Sequence, residues 1–358
     1  MLRDAIDLAQ IKRVLVVILR HHGDVLLASP MFQVLKNHAP HVEIDALVYA
    51  ETAPMLTLHP AIENVICIDR GWKLQQPWIR LRHEKRLFSM LRSRRYDLMV
   101  HLSNNPRGPW LKRLLGIRYG IAPRINSKSP TGWNSFTHLF PLAKRRHTVE
   151  LNLDALRRIG ISPIPEERRL VLAPGEAAVK SVRIIMRDRG LTPKGFVQFH
   201  GVSRWMFKAW PSDKVAALLN QLVKDGYVVV LTGAPDEQEI ATVRQIMQLT
   251  NARVIDLAGR LNLKELAALT AQASLFVGVD SAPMHIAAAV GTPIVAMFGP
   301  SSEITWGPWM VEHRVVTTAH ACRPCGQDGC GGGKLSECLT TLPVERVLAA
   351  VREISQRT

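Results

Sequence analysis

Short apolar runs alternate with longer amphipathic segments along most of the chain. In the N-terminal half, apolar runs predict strands at residues 14–19, 42–49, 64–68 and 96–102. Helices are predicted between them, from Val25 to about His38 and from about Pro77 to Arg95. Because strands that alternate with helices typically form parallel β-α-β units, we expect a parallel sheet covered by helices.

The same alternation restarts in the C-terminal half. Strands are predicted at residues 196–200, 227–233, 252–259, 275–279 and 293–299. Helices are predicted from about Ser212, from Asp236, and from Asn262 to Gln272. The expected fold class is therefore α/β, with two Rossmann-like, doubly wound domains.

A segment rich in proline and charge separates the two halves. A chain of 358 residues suits two domains of ordinary size, and three prolines interrupt both patterns between Ile161 and Gly175. We predict an N-terminal domain at 1–165 and a C-terminal domain at 176–342. The final segment, 343–358, is predicted to form a helix that packs back on the N-terminal domain.

The segment VDSAPMHIAAAVGTPIVAMFGP, residues 279–300, joins a buried strand to a helix and a second buried strand. Asp280 and Ser281 end the first strand, and Pro283 opens the helix that contains His285. A helix N-terminus at the carboxyl end of a strand favours an anionic ligand such as a phosphate. The alternative is an ordinary helix cap with a core histidine.

A second polar turn follows the first predicted strand, where R-H-H-G-D occupies residues 20–24. Asp24 lies where a helix begins, and a carboxylate there can accept a proton from a substrate hydroxyl. Gly23 permits a sharp turn and close approach of a substrate. The alternative role of Asp24 is helix capping. G-x-G-x-x-G is absent after this strand, which disfavours a dinucleotide-dependent dehydrogenase.

The chain is strongly basic, with 46 Lys and Arg against 30 Asp and Glu, a net charge of +16 and a pI near 10.1. The excess is concentrated between Arg70 and Arg124, where Glu84 and Asp97 are the acidic residues. The basic residues inside this region include Lys73, Arg80, Arg82, Lys85, Arg86, Arg92, Arg94, Arg95, Arg107, Lys112 and Arg113. An anionic membrane surface, a phosphorylated lipid-linked substrate or nucleic acid could be the partner, or the charges could simply solvate a helix face.

Three motifs, LRHHGDVLLASP, FKAWP and VDSAPMHIAAAVGTPIVAMFGP, resemble those of the bacterial ADP-heptose:lipopolysaccharide heptosyltransferases of glycosyltransferase family nine. The resemblance extends from Lys12 to about Arg352. It is greatest for the heptosyltransferase III type, which adds a branch heptose to the second inner-core heptose. The resemblance implies a GT-B fold, two Rossmann-like domains facing across a cleft, with the donor nucleotide held mainly by the C-terminal one. It also implies an inverting, metal-independent reaction with ADP-heptose as donor and no further cofactor.

The resemblance also implies roles for individual residues. Asp24 matches the proposed general base, and Lys208 matches the lysine at the donor diphosphate. The other donor-binding positions implied are Ser203, Gly233, Ala234, Asp280, Ser281, Ala282 and His285. The acceptor-binding positions expected are His22, Gly23, Arg80 and Arg82. Val202 departs from the family, which often has a second hydroxyl there.

Four of the five cysteines form a C-x2-C-x4-C-x7-C pattern: Cys322, Cys325, Cys330 and Cys338. Four thiolates can hold a structural zinc ion, but the spacing is not that of paired C-x2-C knuckles. A zinc site, a disulfide and free thiols in a loop all remain open. Cys67 falls in a predicted strand and is expected to be buried.

The function expected is therefore that of an inverting heptosyltransferase acting on the lipopolysaccharide inner core. The N-terminal residues contain acids and no apolar signal region, so we expect a cytoplasmic protein with reduced thiols, peripheral at the inner membrane. Its expected partners are ADP-heptose and the lipid A-linked core oligosaccharide, with no nucleic acid. One rival is a family-nine transferase with another sugar or acceptor, such as heptosyltransferase I or II. A nucleic-acid-binding protein is a second rival, supported by charge alone.

Overall fold

A computed structural model describes Asp4, residues 6–125 and residues 133–356, and the chain divides into two units. The first unit is Met1–Val171 and the second is Leu172–Thr358. Their boundary lies inside the segment Ile161–Gly175, where the sequence analysis places the joint. Residues 126–132 of the predicted N-terminal domain and 357–358 of the predicted final segment lie outside the described residues.

The described residues of the first unit form a six-stranded parallel sheet in the order β3-β2-β1-β4-β5-β6. The strands are β1 (Arg13–Ile18), β2 (Glu43–Tyr49), β3 (Asn64–Ile68), β4 (Leu98–His101), β5 (Tyr119–Pro123) and β6 (His138–Phe140). The chain leaves β1 in one direction and β4 in the other, so a switch point lies between these two central strands. The apolar pattern did not predict β5 and β6, because both are short and β5 contains Gly120 and Pro123.

The helices described in the first unit are α1 (His22–Leu26), α2 (Ser29–His38), α3 (Pro77–Arg94), α4 (Arg107–Leu114) and α5 (Thr148–Arg157). The single helix predicted from Val25 to about His38 is in fact two helices, and the first begins earlier, at His22. The break has a physical reason, because Pro30 has no backbone N–H to donate to the carbonyl of Leu26.

A buried polar cluster fixes the end of α3 to the sheet. Asp45 on β2 is fully buried, and its carboxylate accepts hydrogen bonds from Arg94 Nε at 2.8 Å and Tyr96 Oη at 2.6 Å. Asn64 on β3 donates to the other carboxylate oxygen at 2.9 Å. Arg94 is therefore a structural residue rather than part of a solvated basic face.

The described residues of the second unit form another six-stranded parallel sheet, in the order β12-β11-β10-β7-β8-β9. The strands are β7 (Val197–His200), β8 (Val229–Leu231), β9 (Ile255–Asp256), β10 (Leu275–Val279), β11 (Ile294–Met297) and β12 (His313–Val316). The switch point lies between β7 and β10. The sequence analysis did not predict β12, an edge strand with two polar residues and little burial.

The helices described in the second unit are α6 (Glu176–Asp188), α7 (Ser212–Lys224), α8 (Glu237–Leu249), α9 (Leu263–Gln272), α10 (Ala282–Ala289), α11 (Glu303–Trp306), α12 (Glu337–Thr340) and α13 (Val344–Ser355). Asp236 and Asn262, expected as first helical residues, are the N-caps of α8 and α9. Each side chain accepts two backbone N–H groups of the first turn, which stabilises the helix start.

The final helix, α13, belongs to the second unit. It packs against α7 and the strands β11 and β12, and Val347, Val351 and Ile354 are buried in the core of that unit. Arg352 pairs with Asp225 at the end of α7, at 2.6 Å. The expectation that residues 343–358 pack on the N-terminal domain therefore needs correction, because the apolar stripe of this helix is used within its own unit.

Within the described residues, no helix is long and apolar enough to cross a membrane. Residues 281–302 contain no Asp, Glu, Lys or Arg, but Pro283, Gly291 and Pro293 interrupt this run, which forms α10 and β11.

Candidate functional site

The loops after β7 and β10 meet at the switch point of the second sheet. These strands are neighbours, and the chain continues from them to opposite sides of the sheet. Such a divergence leaves a crevice at the carboxyl ends of the strands, where ligands bind in open α/β sheets. Lys208 lies in a short 3-10 helix, Met206–Lys208, after β7, and Asp280 directly follows β10.

Lys208 and Asp280 form a close ion pair across this crevice. Lys208 Nζ donates to Asp280 Oδ2 at 2.6 Å. The Asp280 residue is 6% exposed, whereas the Lys208 side chain is 23% exposed and can reach a ligand. A buried carboxylate needs a partner of opposite charge, so Asp280 holds the ammonium group in one place.

The N-terminus of α10 begins immediately after Asp280. Ser281 is the N-cap residue, with φ of −154° and ψ of 167°, but its side chain makes no capping hydrogen bond. Its hydroxyl donates instead to the carbonyl of Val279 at 3.2 Å. The positive end of the helix dipole therefore lies beside Lys208 without a serine cap across it. Ala282 is the first residue of α10, and His285 is buried within the helix.

Ser203 lies on the loop after β7. The residue is buried, and its hydroxyl accepts a hydrogen bond from the backbone N–H of Trp205 at 3.3 Å. Val202 is fully buried in the core of the unit. This packing explains why an apolar residue is suitable at the position where the family often has a hydroxyl.

Gly233 and Ala234 follow β8, on the other side of β7 from β10. A Cβ atom at Gly233 would lie 3.3 Å from Val243 and 3.4 Å from Ala258, so the backbone is closely packed here. The backbone N–H of Ala234 donates to Glu239 Oε2 at 2.8 Å. This loop lies at the same edge of the sheet as Lys208 and Asp280.

Glu239 is a site residue that the sequence analysis missed. It is buried, and burial raises the pKa of its carboxyl. His200, at the end of β7, lies 3.9 Å from this carboxylate and bonds to Thr232 Oγ1 at 3.1 Å. Burial lowers the pKa of His200 to about 4, so the imidazole is neutral at pH 7. The sequence signal was a run of acids at the start of a predicted helix, which is also typical of ordinary capping.

In the first unit, Asp24 lies at the carboxyl end of β1, next to the switch point. Its Oδ1 accepts from Arg20 Nε at 2.8 Å and lies 2.7 Å from Arg20 Nη2. The N-cap of α1 is His21, and Asp24 lies one turn in. The structure therefore pairs Asp24 with an arginine instead of using it as the helix cap. His22 and Gly23 lie beside it in the same turn.

A cluster of polar side chains lies at the same sheet edge as Asp24, and the sequence pattern did not predict it. Arg70 follows β3 and lies 3.9 Å from the centre of the Tyr49 ring, with its Nε 3.0 Å from Glu51. Tyr49, the last residue of β2, accepts a hydrogen bond from Asn105 Nδ2 at 3.0 Å. The signal available was positional, since Tyr49 ends a strand and Glu51, Arg70 and Asn105 lie in the segments after strand ends. The ring of His22 bonds to the Glu51 carbonyl at 2.9 Å and joins the cluster.

Arg80 and Arg82 lie in the first turns of α3 and are exposed. No hydrogen bond or ion pair among the described residues links either of them to the cluster around Tyr49. Two other members of the basic region are structural: Arg107 pairs with Glu84, and buried Lys112 donates to the carbonyl of Ile117 at 3.0 Å. The structure thus brings together His22, Gly23 and Asp24, but not the two arginines assigned with them.

The cysteines form no disulfide in the described part of the chain. There, no group of three or more His, Cys, Asp or Glu side chains is arranged to hold a metal ion, so a zinc site at Cys322, Cys325, Cys330 and Cys338 has no support. Cys338 is buried, and Cys67 is exposed. The expectation that Cys67 is buried was wrong, because β3 is an edge strand and this residue lies on its outer face.

The chain has a GT-B glycosyltransferase fold, which consists of two doubly wound units. At the switch point, one unit has a carboxylate, and the other has a lysine and a helix N-terminus. A family 9 glycosyltransferase of Veillonella parvula superposes with a TM-score of 0.83 and 21% identity, over 99% of this chain and 100% of that one. An Escherichia coli heptosyltransferase solved with ADP gives a TM-score of 0.72 and 18% identity, over 96% and 99%.

The family is shown by sequence. The model of glycosyltransferase family 9 (heptosyltransferase) matches residues 84–335. Lipopolysaccharide heptosyltransferase 3 of Escherichia coli is 36% identical over 294 residues, which cover 81% of this chain and 84% of that protein. The chain therefore belongs to glycosyltransferase family 9, the heptosyltransferase family.

Proposed function

We propose that this enzyme is an inverting heptosyltransferase that moves L-glycero-D-manno-heptose from ADP-heptose to the lipopolysaccharide inner core, as a branch on the second heptose. The observation that most supports the proposal is the Lys208–Asp280 pair beside the N-terminus of α10. A sequence identity of 36% with a lipopolysaccharide heptosyltransferase 3 supports the branch position.

The second unit would bind the donor. Lys208 and the N-terminus of α10 would hold the diphosphate, with His285 inside the same helix, and Ser203, Ser281 and Ala282 would line its position. As the bond to the anomeric carbon breaks, charge grows on the departing ADP, and a fixed ammonium and helix dipole stabilise it. Asp280 holds the Lys208 ammonium in position beside the diphosphate. These groups supply the positive charge without a metal ion.

The adenosine would lie at the loop after β8. Gly233 and Ala234 form this loop, and the absent side chain of Gly233 lets the loop pack closely against Val243 and Ala258. The buried carboxylate of Glu239 accepts the Ala234 N–H and holds the loop in shape. The donor thus spans the carboxyl ends of neighbouring strands.

The first unit would bind the acceptor. Asp24 would accept the proton of the acceptor hydroxyl while its oxygen attacks the anomeric carbon, and ADP leaves from the opposite face. This single displacement inverts the anomeric centre. Arg20 fixes the position of the carboxylate. His22, Gly23 and the cluster around Tyr49 would contact the acceptor sugars.

The acceptor is a lipid A-linked oligosaccharide, so the enzyme would act at the cytoplasmic face of the inner membrane as a peripheral protein. Arg80 and Arg82 would attract the anionic groups of this acceptor. Charge is also the sole support for nucleic-acid binding, which no motif in the sequence favours.

Deletion of the gene in the source bacterium tests the proposal. Mass analysis of the core oligosaccharide should show the loss of a single branch heptose, restored by the wild-type gene and not by Asp24→Asn. A core truncated at the first or second heptose would instead indicate heptosyltransferase I or II activity. An unchanged core would refute the proposal.

A further inference from the structure

Large apolar side chains are exposed on two helices of the first unit. Trp78 and Leu81 on α3, with Trp110 and Leu114 on α4, are between 47% and 65% exposed. Trp78 and Leu81 are three residues apart and therefore share one side of α3, and Trp110 and Leu114 are four apart on α4. Exposed apolar groups in a cluster mark an interaction surface more often than single ones do.

A groove of about 440 Å³ lies between these helices. Its floor is formed by the buried Leu87 and Leu111, and its walls include Leu81, Trp110 and Leu114. The lining is almost entirely apolar.

An ion pair links the two helices beside the groove. Arg107, the first residue of α4, donates from Nη1 to Glu84 Oε2 of α3 at 3.0 Å, and its Nη2 bonds to Glu84 Oε1. The two-point contact fixes the spacing of the helices. The apolar surface is therefore preformed rather than created on binding.

Basic side chains surround this apolar surface. The exposed basic residues of α3 are Arg80, Arg82, Lys85, Arg86 and Arg92. None of them forms an ion pair within the ranges that the structure describes, whereas Glu84, the acidic residue of this helix, is already paired. An apolar strip with tryptophan, bordered by unpaired cations, is complementary to the surface of an anionic bilayer. A nucleic acid would match the charges but leave the leucines exposed to water.

We propose that α3 and α4 dock on a membrane surface rich in anionic phospholipid. Trp78, Leu81, Trp110 and Leu114 enter the boundary between headgroups and acyl chains, and the basic residues of α3 contact the phosphates. Both helices begin at the sheet edge where Asp24 lies, because each follows a parallel strand. Delivery of a membrane-linked acceptor to Asp24 rests on the proposed function, but the docking itself does not.

Vesicle flotation tests the apolar part of the surface. We expect the wild-type protein to bind phosphatidylcholine vesicles that contain phosphatidylglycerol, and L81S/L114S to bind them at least about tenfold more weakly. The matched control, I184S/L249S, removes two aliphatic side chains that are 45% and 46% exposed on α6 and α8, and should bind like the wild type. Wild-type binding by L81S/L114S would overturn the proposal.

Charge-reversal variants test the electrostatic contribution to vesicle binding. R82E/R86E should reduce binding to the anionic vesicles at least about tenfold, with the wild-type affinity falling as salt is added. K180E/R183E changes the net charge equally on an exposed face of α6 and should have less than about a threefold effect. Equal losses in both variants would show that net charge alone drives binding, which would contradict a defined docking surface.

Fluorescence locates the inserted groups. Brominated phospholipid should quench the wild-type emission, and W78F/W110F should lose most of that quenching although six tryptophans of the eight remain. Unchanged quenching would overturn the proposed orientation. If an oligonucleotide displaces the protein from vesicles while L81S/L114S retains vesicle binding, the surface serves nucleic acid instead.

ADP binding and transfer to a lipid-free core oligosaccharide separate this proposal from the proposed function. L81S/L114S should retain both and lose vesicle binding. If vesicle binding follows the expected pattern but no transfer occurs, the proposed function fails and the docking surface remains. If transfer occurs and vesicle binding does not follow the pattern, docking alone is refuted.

Discussion

Two carboxylate–cation pairs lie at the sheet edges where ligands are expected: Arg20 with Asp24, and Lys208 with Asp280. In each pair the carboxylate is the more buried member. Asp280 fixes the Lys208 ammonium, whereas Arg20 fixes the Asp24 carboxylate. Loss of one partner would leave a poorly solvated charge, which is why a substitution here affects both chemistry and stability. Variants that neutralise both partners separate the two effects.

Replacement of Asp24 tests the assignment of the base. Asp24→Asn should lower turnover at least about a hundredfold and leave ADP binding unchanged, because it removes proton acceptance but keeps the shape. Asp225→Asn is the matched control, since Asp225 also pairs with an arginine but lies at the end of α7, away from the sheet edge. Retention of more than about a third of the wild-type turnover would place the base elsewhere.

Replacement of Lys208 tests the diphosphate site. Lys208→Ala should weaken binding of ADP and ADP-heptose and lower turnover, because it removes a cation from a site where negative charge develops. K208A/D280N should recover the stability lost by the single variant but not the ADP affinity. Lys224→Ala, at an exposed position, is the control. Isothermal titration measures each affinity, and wild-type affinity in K208A/D280N would contradict the assignment.

The sequence was sufficient to predict Asp24, Lys208 and Asp280 as candidates, but not their partners. Lys208 and Asp280 are 72 residues apart, so their contact depends on β7 and β10 being neighbours. The Lys208–Asp280 pair is therefore a tertiary feature, whereas Arg20 and Asp24 are four residues apart in sequence. Arg20 lies before the start of α1, so the i,i+4 spacing of a helix did not indicate that it pairs with Asp24.

At the scale of elements, the central strands and the amphipathic helices follow from the pattern of apolar residues. Strands β1, β7 and β10 are found within a residue of their predicted bounds, because each is a largely apolar run buried on both faces. Strand β3 also has its predicted bounds, although it lies at the sheet edge and is only partly buried. The short or edge strands β5, β6, β9 and β12 were missed or predicted too long. Their residues are stabilised by neighbours in the sheet rather than by their own pattern.

Helix caps provide a test at this scale. Asn262 forms a capping box with Glu265 at the start of α9, so Asn262→Ala should lower the free energy of unfolding by about 1 kcal/mol without affecting turnover. Asn251→Ala, at an exposed position before β9, is the control and should change the free energy of unfolding by less than about 0.5 kcal/mol. Urea unfolding measures both, and equal stabilities would show that the cap does not contribute.

At the scale of the whole molecule, each unit has its own core and a buried histidine whose pKa is lowered. Burial lowers the pKa of His101 in the first unit and of His200 in the second, in both cases to about 4. A histidine in the unfolded chain takes up a proton near pH 6.5, whereas His101 and His200 in the folded chain do so only near pH 4. Between pH 6.5 and pH 4 the unfolded state therefore binds more protons than the folded state. Stability should therefore fall as the pH decreases from about 6.5 towards 4.

The expected loss at pH 5 is about 2 kcal/mol for each of the two histidines. Glu239, whose pKa is raised by burial, acts in the opposite direction and makes the net loss smaller. Urea unfolding at pH 7, 6 and 5 measures this loss of stability. The stability of His101→Gln should depend less steeply on pH than that of the wild type. Equal stability at pH 7 and pH 5 would contradict the assignment of neutral buried histidines.

The sequence predicted two doubly wound units, and its candidate residues Asp24 and Asp280 lie after central strands of these units. It did not predict where the final helix packs, since an amphipathic helix is compatible with any apolar face of suitable shape. It also did not separate structural arginines such as Arg94 from exposed ones such as Arg82, because both occur in the same basic helix. Burial decides that difference, and burial is a property of the folded chain.

The central claim is that the two units together transfer heptose from ADP-heptose without a metal ion. The most direct measurement is incubation of the purified protein with ADP-heptose and a core acceptor lacking the branch heptose, in excess EDTA, with mass and NMR analysis of the product. We predict an acceptor that gains one heptose, with the anomeric configuration opposite to that of the donor. No transfer of heptose, a strict requirement for added metal, or retained configuration would contradict the account.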